Sequence, residues 1–192
     1  HQTMPDYAYM YALPYELYEK DGIRKYGFHG TSHRYVSGRC IELLGGKAEG
    51  TKIVTCHLGN GSSISAVKDG KCFDTTMGLT PLEGIIMGTR CGSIDPAIIP
   101  VIMKSHNLTP DEVDHLMNKK SGMLGLAGTS DNRTIEQMSN NGDKKAQLVE
   151  NMLCHQLTKY IGGFAAAMGG VDAIVFTGGI GENNPHYRSR VA

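Results

Sequence analysis

Five short stretches of this sequence carry residue types that could do chemistry, four of them suited to holding an anion. The first is Cys56-His57-Leu58-Gly59-Asn60-Gly61-Ser62-Ser63. Gly59 and Gly61 remove side-chain bulk, so successive backbone N–H groups can point at a phosphate, with the Ser62 and Ser63 hydroxyls alongside. An ordinary Asn-Gly hairpin would carry the same residues. The second is Gly178-Gly179-Ile180-Gly181-Glu182-Asn183, which follows an apolar, strand-like run. Open α/β sheets bind nucleotides at such a place. The spacing matches neither the P-loop nor the dinucleotide fingerprint, and a tight strand–helix packing turn would read the same way. The third is Gly88-Thr89-Arg90-Cys91-Gly92, where a lone Arg stands between small residues. Its guanidinium fork can take two oxygens of a phosphate or carboxylate. The fourth is Phe28-His29-Gly30-Thr31-Ser32-His33, two histidines at the start of a helix, where N–H groups and the dipole favour anions. Their four-residue spacing could suit a metal, yet no carboxylate or Cys stands at ligand distance, so an anion contact or a structural role is expected. The fifth, Asp131-Asn132-Arg133, could simply cap a helix. Each stretch is ambiguous alone. Together the first four favour phosphate.

The chain has 192 residues, with 19 basic and 19 acidic side chains. That length supports a proper core, and zero net charge gives no overall pull toward nucleic acid or an anionic membrane. No apolar run approaches the roughly 18–20 residues of a membrane span. Glycine is frequent, 25 of 192, against an average of about 7%, and it clusters in loops beside apolar runs. The five cysteines (Cys40, Cys56, Cys72, Cys91 and Cys154) show no Cys-x-x-Cys spacing. Reduced thiols in a cytoplasmic protein are expected.

The elements that must position the five stretches are readable from pattern. Residues 1–28 read as extended, punctuated by Pro5 and Pro14. Thr31 or Ser32 is expected to cap a helix running to about Leu44, stopped by Gly45-Gly46. Strands are expected over 52–56, 63–68 and 71–75, joined by Asn60-Gly61 and Asp69-Gly70 into an antiparallel meander. Residues 77–92 read as an ordered loop, and helices open at Asp95-Pro96 and Thr109-Pro110. A second glycine-rich loop spans 121–132, and a long helix over 144–168 carries Val149, Leu153, Leu157, Ile161 and Phe164 at three- and four-residue steps. A buried strand over 172–177, a tight turn at 178–183 and a helix from Pro185 follow. This is a mixed α/β order.

The longer stretches around these groups resemble the acetokinase family. They are His-Gln-Thr-Met-Pro at 1–5 and the runs 26–33, 56–63, 77–84, 87–97, 117–122 and 179–183, in the family's order as far as about Arg190. The resemblance implies a ribonuclease H-like, actin-type ATPase domain built on a mixed β-sheet in β-β-β-α-β-α order, truncated at both ends. Residues 1–192 would then be the nucleotide-binding second domain, incomplete, with the first domain and the C-terminal part outside it. The implied reaction is reversible, Mg2+-dependent phosphoryl transfer from ATP to acetate, giving acetyl phosphate and ADP. A propionate or butyrate kinase of the same family is the near alternative. A non-catalytic nucleotide-binding module is the alternative of another class.

Family roles carry over position by position. His57, Leu58, Gly59, Asn60 and Gly61 match the phosphate-binding hairpin. Gly179, Ile180, Gly181, Glu182 and Asn183 match a second nucleotide loop, and Gly178 replaces a common Ala, which reads as a mild change. Asp131, Asn132 and Arg133 match a segment near the adenosine, where Asn132 departs from the family's usual Phe. His29 and Arg90 match the residues that stabilise the transferring phosphoryl group. The family's catalytic Asp and its main Mg2+ ligands would lie outside these residues, so the chain alone is expected to be inactive. Pairing as a homodimer through this domain is implied, with no nucleic acid or membrane partner.

Overall fold

Alternation along the first two strands makes a sheet with two unlike faces. β1 (Lys52–Leu58) and β2 (Ser62–Lys68) pair antiparallel, with Val54 opposite Ala66, Thr55 opposite Ser65 and His57 opposite Ser63. Residues two apart share a face. Val54, Cys56, Leu58, Ile64 and Ala66 therefore point one way, and Thr55, His57, Ser63 and Ser65 the other. In the computed structural model, which describes residues 1–192, the apolar set belongs to the main hydrophobic core. β3 (Lys71–Thr75) continues the meander, and β4 (Ala173–Thr177) runs parallel to β1, giving the order β3-β2-β1-β4.

Ten helices surround this sheet: α1 (Asp6–Tyr9), α2 (Tyr15–Asp21), α3 (Gly30–Leu43), α4 (Ile98–His106), α5 (Pro110–Lys119), α6 (Gly122–Ala127), α7 (Asn132–Asn140), α8 (Lys144–Met168), α9 (Gly178–Asn183) and α10 (Pro185–Val191). α8 covers the apolar face. The Asp143 side chain accepts from the N–H groups of Lys145 and Ala146 at its start, and Gly169, at φ +78°, ends it. Between these caps Val149, Leu153, Leu157, Ile161, Phe164 and Met168 form a buried stripe, as its periodicity predicts. α3 lies against β1 and β4, over the polar residues of the sheet. No helix is long and apolar enough to cross a membrane.

Several elements differ from expectation. The segment read as extended contains α1 and α2, because Pro5 and Pro14 sit at the N-cap positions, where a missing N–H costs nothing. Residues 122–127 and 178–183 are short helices rather than loop and tight turn. α4 begins at Ile98, after a turn in which Asp95 accepts from the Ala97 N–H. β4 is half-buried rather than buried, because it is an edge strand with β1 on one side only. The loop over 77–92 is ordered, as expected, but it crosses the core: Met77, Ile85, Ile86 and Met87 are at most 1% exposed. Gln156 Oε1 satisfies the buried Ile86 N–H at 2.7 Å.

Candidate functional site

The polar face of the sheet is saturated with imidazoles and hydroxyls. His29 stands at the cap of α3 with φ +58° and ψ +24°, and no side chain caps this helix. The expected capping role of Thr31 or Ser32 is therefore absent, and Ser32 Oγ instead lies 2.8 Å from His57 Nδ1. Ser63 Oγ sits 2.8 Å from His29 Nδ1 and 2.7 Å from His33 Nε2, while His33 Nδ1 is 2.8 Å from Thr55 Oγ1. The His29 and His57 rings stack at 4.1 Å. The histidines four residues apart on α3 thus share one serine hydroxyl, and backbone register puts that serine directly opposite His57.

Arg90 reaches the same place from the loop over 77–92. Its Nη1 donates to the Pro81 carbonyl at 2.6 Å, which anchors the guanidinium. A Cβ added to Gly61 would lie 2.9 Å from Arg90 Nη2 and 3.4 Å from His29 Nε2. Hairpin, arginine and histidine therefore converge on one point above Gly61. Asn60 is held beside them: its carbonyl accepts from the Gly88 N–H at 3.2 Å, and its Oδ1 fills the space a Gly88 side chain would need. Gly61 has no positive φ, so Gly61→Ala is expected to preserve folding while placing a methyl group at the convergence point. For the phosphoryl transfer that the family resemblance implies, turnover of the full-length protein should fall roughly 100-fold, the cost of about 1 Å of misplacement, with the denaturation midpoint little changed. An equal loss of stability and activity would count against this reading.

Burial sets the electrostatics. It pushes His29 down to about 4, helped by the neighbouring His57 and Arg90, and pushes His33 down to about 3, helped by His29 and His57. Burial lowers His57 as well, opposed by the Glu182 carboxylate, and shifts Arg90 down from its usual value. At neutral pH the imidazoles are uncharged and Arg90 is the positive group. Below the ordinary value of 6.5 an unfolded chain binds protons that the folded His33 refuses. Stability is therefore complete above that pH and falls as pH drops toward 3. His33 alone supplies a slope of about 1.4 kcal/mol per pH unit, and half-exposed His29 adds less. Urea midpoints measured at pH 7 and pH 5 should show this fall; a flat profile would contradict it.

The second glycine-rich segment adjoins the first. β4 delivers α9 to the carboxyl end of β1, where Gly181 packs near Leu58 and Cys56. Gly178 has φ +79°, and a Cβ there would lie 2.6 Å from the Leu58 carbonyl oxygen. In this backbone glycine is required, so the exchange read as mild is not. Arg188 donates to the carbonyls of Gly181 and Glu182 at 2.8 and 2.7 Å, closing α9, and Asn183 Nδ2 donates to Gly179. Ile180 packs against the core. Asp131 caps α7, accepting from the Arg133 N–H at 2.9 Å, and forms an exposed ion pair with the Arg133 side chain. Between them, Asn132 Oδ1 accepts from the buried Tyr187 hydroxyl at 3.0 Å, tying α7 to α10.

Over residues 1–192, the whole chain, the sequence matches the acetokinase family. The chain belongs to this family. It is 61% identical over 192 residues to an acetate kinase of Phocaeicola vulgatus, a match spanning all of this chain and 48% of that protein. The structure superposes on the Porphyromonas gingivalis acetate kinase with a TM-score of 0.96 and 51% identity, over 99% of this chain and 48% of the other. It superposes on a Francisella tularensis propionate kinase with a TM-score of 0.95 and 46% identity, over 100% of this chain and 49% of the other. The chain thus spans about half the length of the curated relatives it matches. Its fold is the actin-like ATPase fold of these kinases.

Some contributors to this polar cluster leave only weak marks in the sequence. Residue type alone does not single out Thr55, Ser65 or Tyr187, and it marks His33 only as a histidine near a helix start. A signal existed for most of them. Thr-x-His on one strand and Ser-x-Ser on its partner fall on one face once the Asn60-Gly61 turn fixes the register. The partnership of Tyr187 with Asn132 spans 55 residues and leaves no local mark.

Proposed function

We propose that the protein containing this chain is an acetate kinase, transferring the terminal phosphoryl group of ATP to acetate to give acetyl phosphate and ADP, reversibly. The observation that carries this reading is the convergence of Arg90 Nη2, His29 Nε2 and the glycine hairpin on one point above Gly61. The names of the similar proteins, predominantly acetate kinases, support it.

In this reading residues 1–192 form the nucleotide-binding second domain. An acetate oxygen attacks the terminal phosphorus, and the bond to the bridging oxygen of ADP breaks. Such a transfer leaves the protein to position two anions and neutralise developing charge. Arg90 holds the equatorial oxygens and His29 contacts the same group. The hairpin of His57, Leu58, Gly59, Asn60 and Gly61 borders the phosphate, its turn closed by the Gly59 N–H donating to the Gly61 carbonyl at 3.1 Å, and Gly179 through Asn183 flank it. Asp131, Asn132 and Arg133 border the adenosine, with Asn132 committed to Tyr187 rather than to the base.

Mg2+ accompanies the nucleotide in this proposal. The residues present do not fit a metal centre: no group of three or more His, Cys, Asp or Glu side chains is placed to hold an ion. The ligands are assigned to other parts of the full protein, as is the catalytic Asp. A cytoplasmic homodimer pairing through this domain completes the proposal.

The likeness to a propionate kinase supplies the second reading, a longer acyl acceptor. One methylene changes kcat/KM by roughly 10- to 200-fold. Comparing kcat/KM for acetate, propionate and butyrate in the full-length protein decides the matter. We expect acetate to lead. A lead for propionate would overturn the acetate assignment, and ATP binding without any acyl phosphate would leave a nucleotide-binding module.

A further inference from the structure

We propose that His33, acting through Ser63, fixes which nitrogen of His29 carries its proton, and that the resting molecule keeps N–H on Nδ1 and a bare lone pair on Nε2. The chain of contacts runs Ser65 carbonyl, Thr55 Oγ1, His33, Ser63 Oγ, His29, at 3.3, 2.8, 2.7 and 2.8 Å. A hydroxyl has one hydrogen, and a neutral imidazole has one donor and one acceptor. Choosing the direction of any link therefore fixes all the others.

Two proton orders are self-consistent. In the first, Thr55 donates to the Ser65 carbonyl, His33 Nδ1–H to Thr55, Ser63 to His33 Nε2, and His29 Nδ1–H to Ser63. In the second, Thr55 donates to His33 Nδ1, His33 Nε2–H to Ser63, and Ser63 to His29 Nδ1, which leaves N–H on His29 Nε2. The first order makes every one of the four contacts a hydrogen bond, whereas the second forfeits the one to the Ser65 carbonyl. The surroundings of His29 favour the first order too. Arg90 Nη2 and His29 Nε2 both lie within 3.4 Å of one point above Gly61. The Arg90 charge acts on His29, and beside a cation a bare Nε2 is favoured over an N–H.

The other groups around His29 do not oppose this order. His57, from β1, stacks on its ring at 4.1 Å and has its own Nδ1 engaged by Ser32. His33, from α3 itself, is 6.4 Å away, and His1 from the N-terminal segment meets His33 at 5.8 Å. Glu182, from α9, acts on His57. His33 is 3% exposed and uncharged at neutral pH, so it has no second proton to blur the relay.

The inference deepens the proposed phosphoryl site but is read without turnover, so the two can fail separately. Its consequence is that His29 can donate from Nε2 only after taking up one proton from solvent, keeping Nδ1–H on Ser63. His33, Ser63 and Thr55 are positioning residues in this scheme. Long-range 1H–15N spectra of the 15N-histidine-labelled protein at neutral pH report the tautomer, with His29→Asn supplying the assignment. We expect a protonated, pyrrole-type Nδ1 and a bare, pyridine-type Nε2 on His29. Thr55→Val removes the acceptor for His33 Nδ1–H while leaving Ser63 in place. It should shift the His29 tautomer ratio roughly fivefold toward Nε2–H, the worth of about one hydrogen bond. A wild-type His29 protonated on Nε2, or a ratio unmoved by Thr55→Val, would overturn the proposal. If that variant does not fold, Ser63→Ala cuts the relay and should shift the His29 tautomer ratio roughly fivefold toward Nε2–H against the pull of Arg90, while His33 keeps Nδ1–H on Thr55; an unmoved ratio would overturn the proposal.

Discussion

Replacing Arg90 with alanine in the full-length protein is expected to lower kcat by roughly 1,000-fold, with a stability loss of only about 1 kcal/mol. The asymmetry follows from what the guanidinium touches. Its one hydrogen bond within the protein, from Nη1 to the Pro81 carbonyl, fixes its direction. Nη2 stands at the convergence point above Gly61, where the proposed reaction develops charge on the transferring group. An isolated cation in a half-buried site is worth most when its partner arrives there, because little solvent remains to screen the pair. Arg90→Lys keeps the charge but not the fork and should recover only part of the rate. Steady-state kinetics with both substrates varied, alongside urea denaturation, separates the two effects. A variant that loses stability but retains kcat would make Arg90 a structural residue.

The largest stability effect should come from a residue that touches no ligand. Gly122 has φ +62°, and an added Cβ would meet the Met87 carbonyl and lie 2.7 Å from Arg90 O and 2.9 Å from Arg90 N. Gly122→Ala therefore combines a left-handed backbone penalty of about 1–2 kcal/mol with an overpacking cost of about 1–3 kcal/mol. The expected loss is roughly 2–5 kcal/mol. Since the clashing backbone atoms belong to Met87 and Arg90, relief must move the loop segment that carries Arg90, and turnover should fall as well. Gly128→Ala is the control: its φ is +79°, but nothing lies within 4 Å of the added Cβ, so only the backbone penalty should appear. Thermal or urea unfolding of the two variants checks the pair, and equal losses would contradict the packing argument.

These residues also explain what the sequence made legible. The long helix was readable because α8 meets the core with one stripe and closes with Asp143 and Gly169, all local features. The meander was readable because Asn60-Gly61 and Asp69-Gly70 punctuate alternating runs. The expectation that the hairpin and Arg90 meet phosphate rests on residue type alone. What stayed hidden depends on distant contacts. Gly122 looked like loop glycine, whereas its φ serves a close approach to Arg90, thirty-two positions earlier in the chain. The 178–183 turn is helical because it packs on the end of β1, and β4 is half-buried because of its place in the sheet order. The link between His33 and His29 needed the strand register as well as the helix, since Ser63 joins them only once β2 is paired.

The central claim is that the point above Gly61, ringed by the hairpin, Arg90 and His29, is where a phosphoryl group passes from ATP to a carboxylate. The most direct measurement is acyl hydroxamate formation in the full-length protein, with MgATP, acetate and hydroxylamine to trap the acyl phosphate. Comparing wild type with Arg90→Ala and Gly61→Ala ties the product to this point. The account predicts acetate-dependent hydroxamate in step with ADP release, and nearly none from either folded variant. ADP release without hydroxamate, or undiminished hydroxamate from the variants, would contradict it.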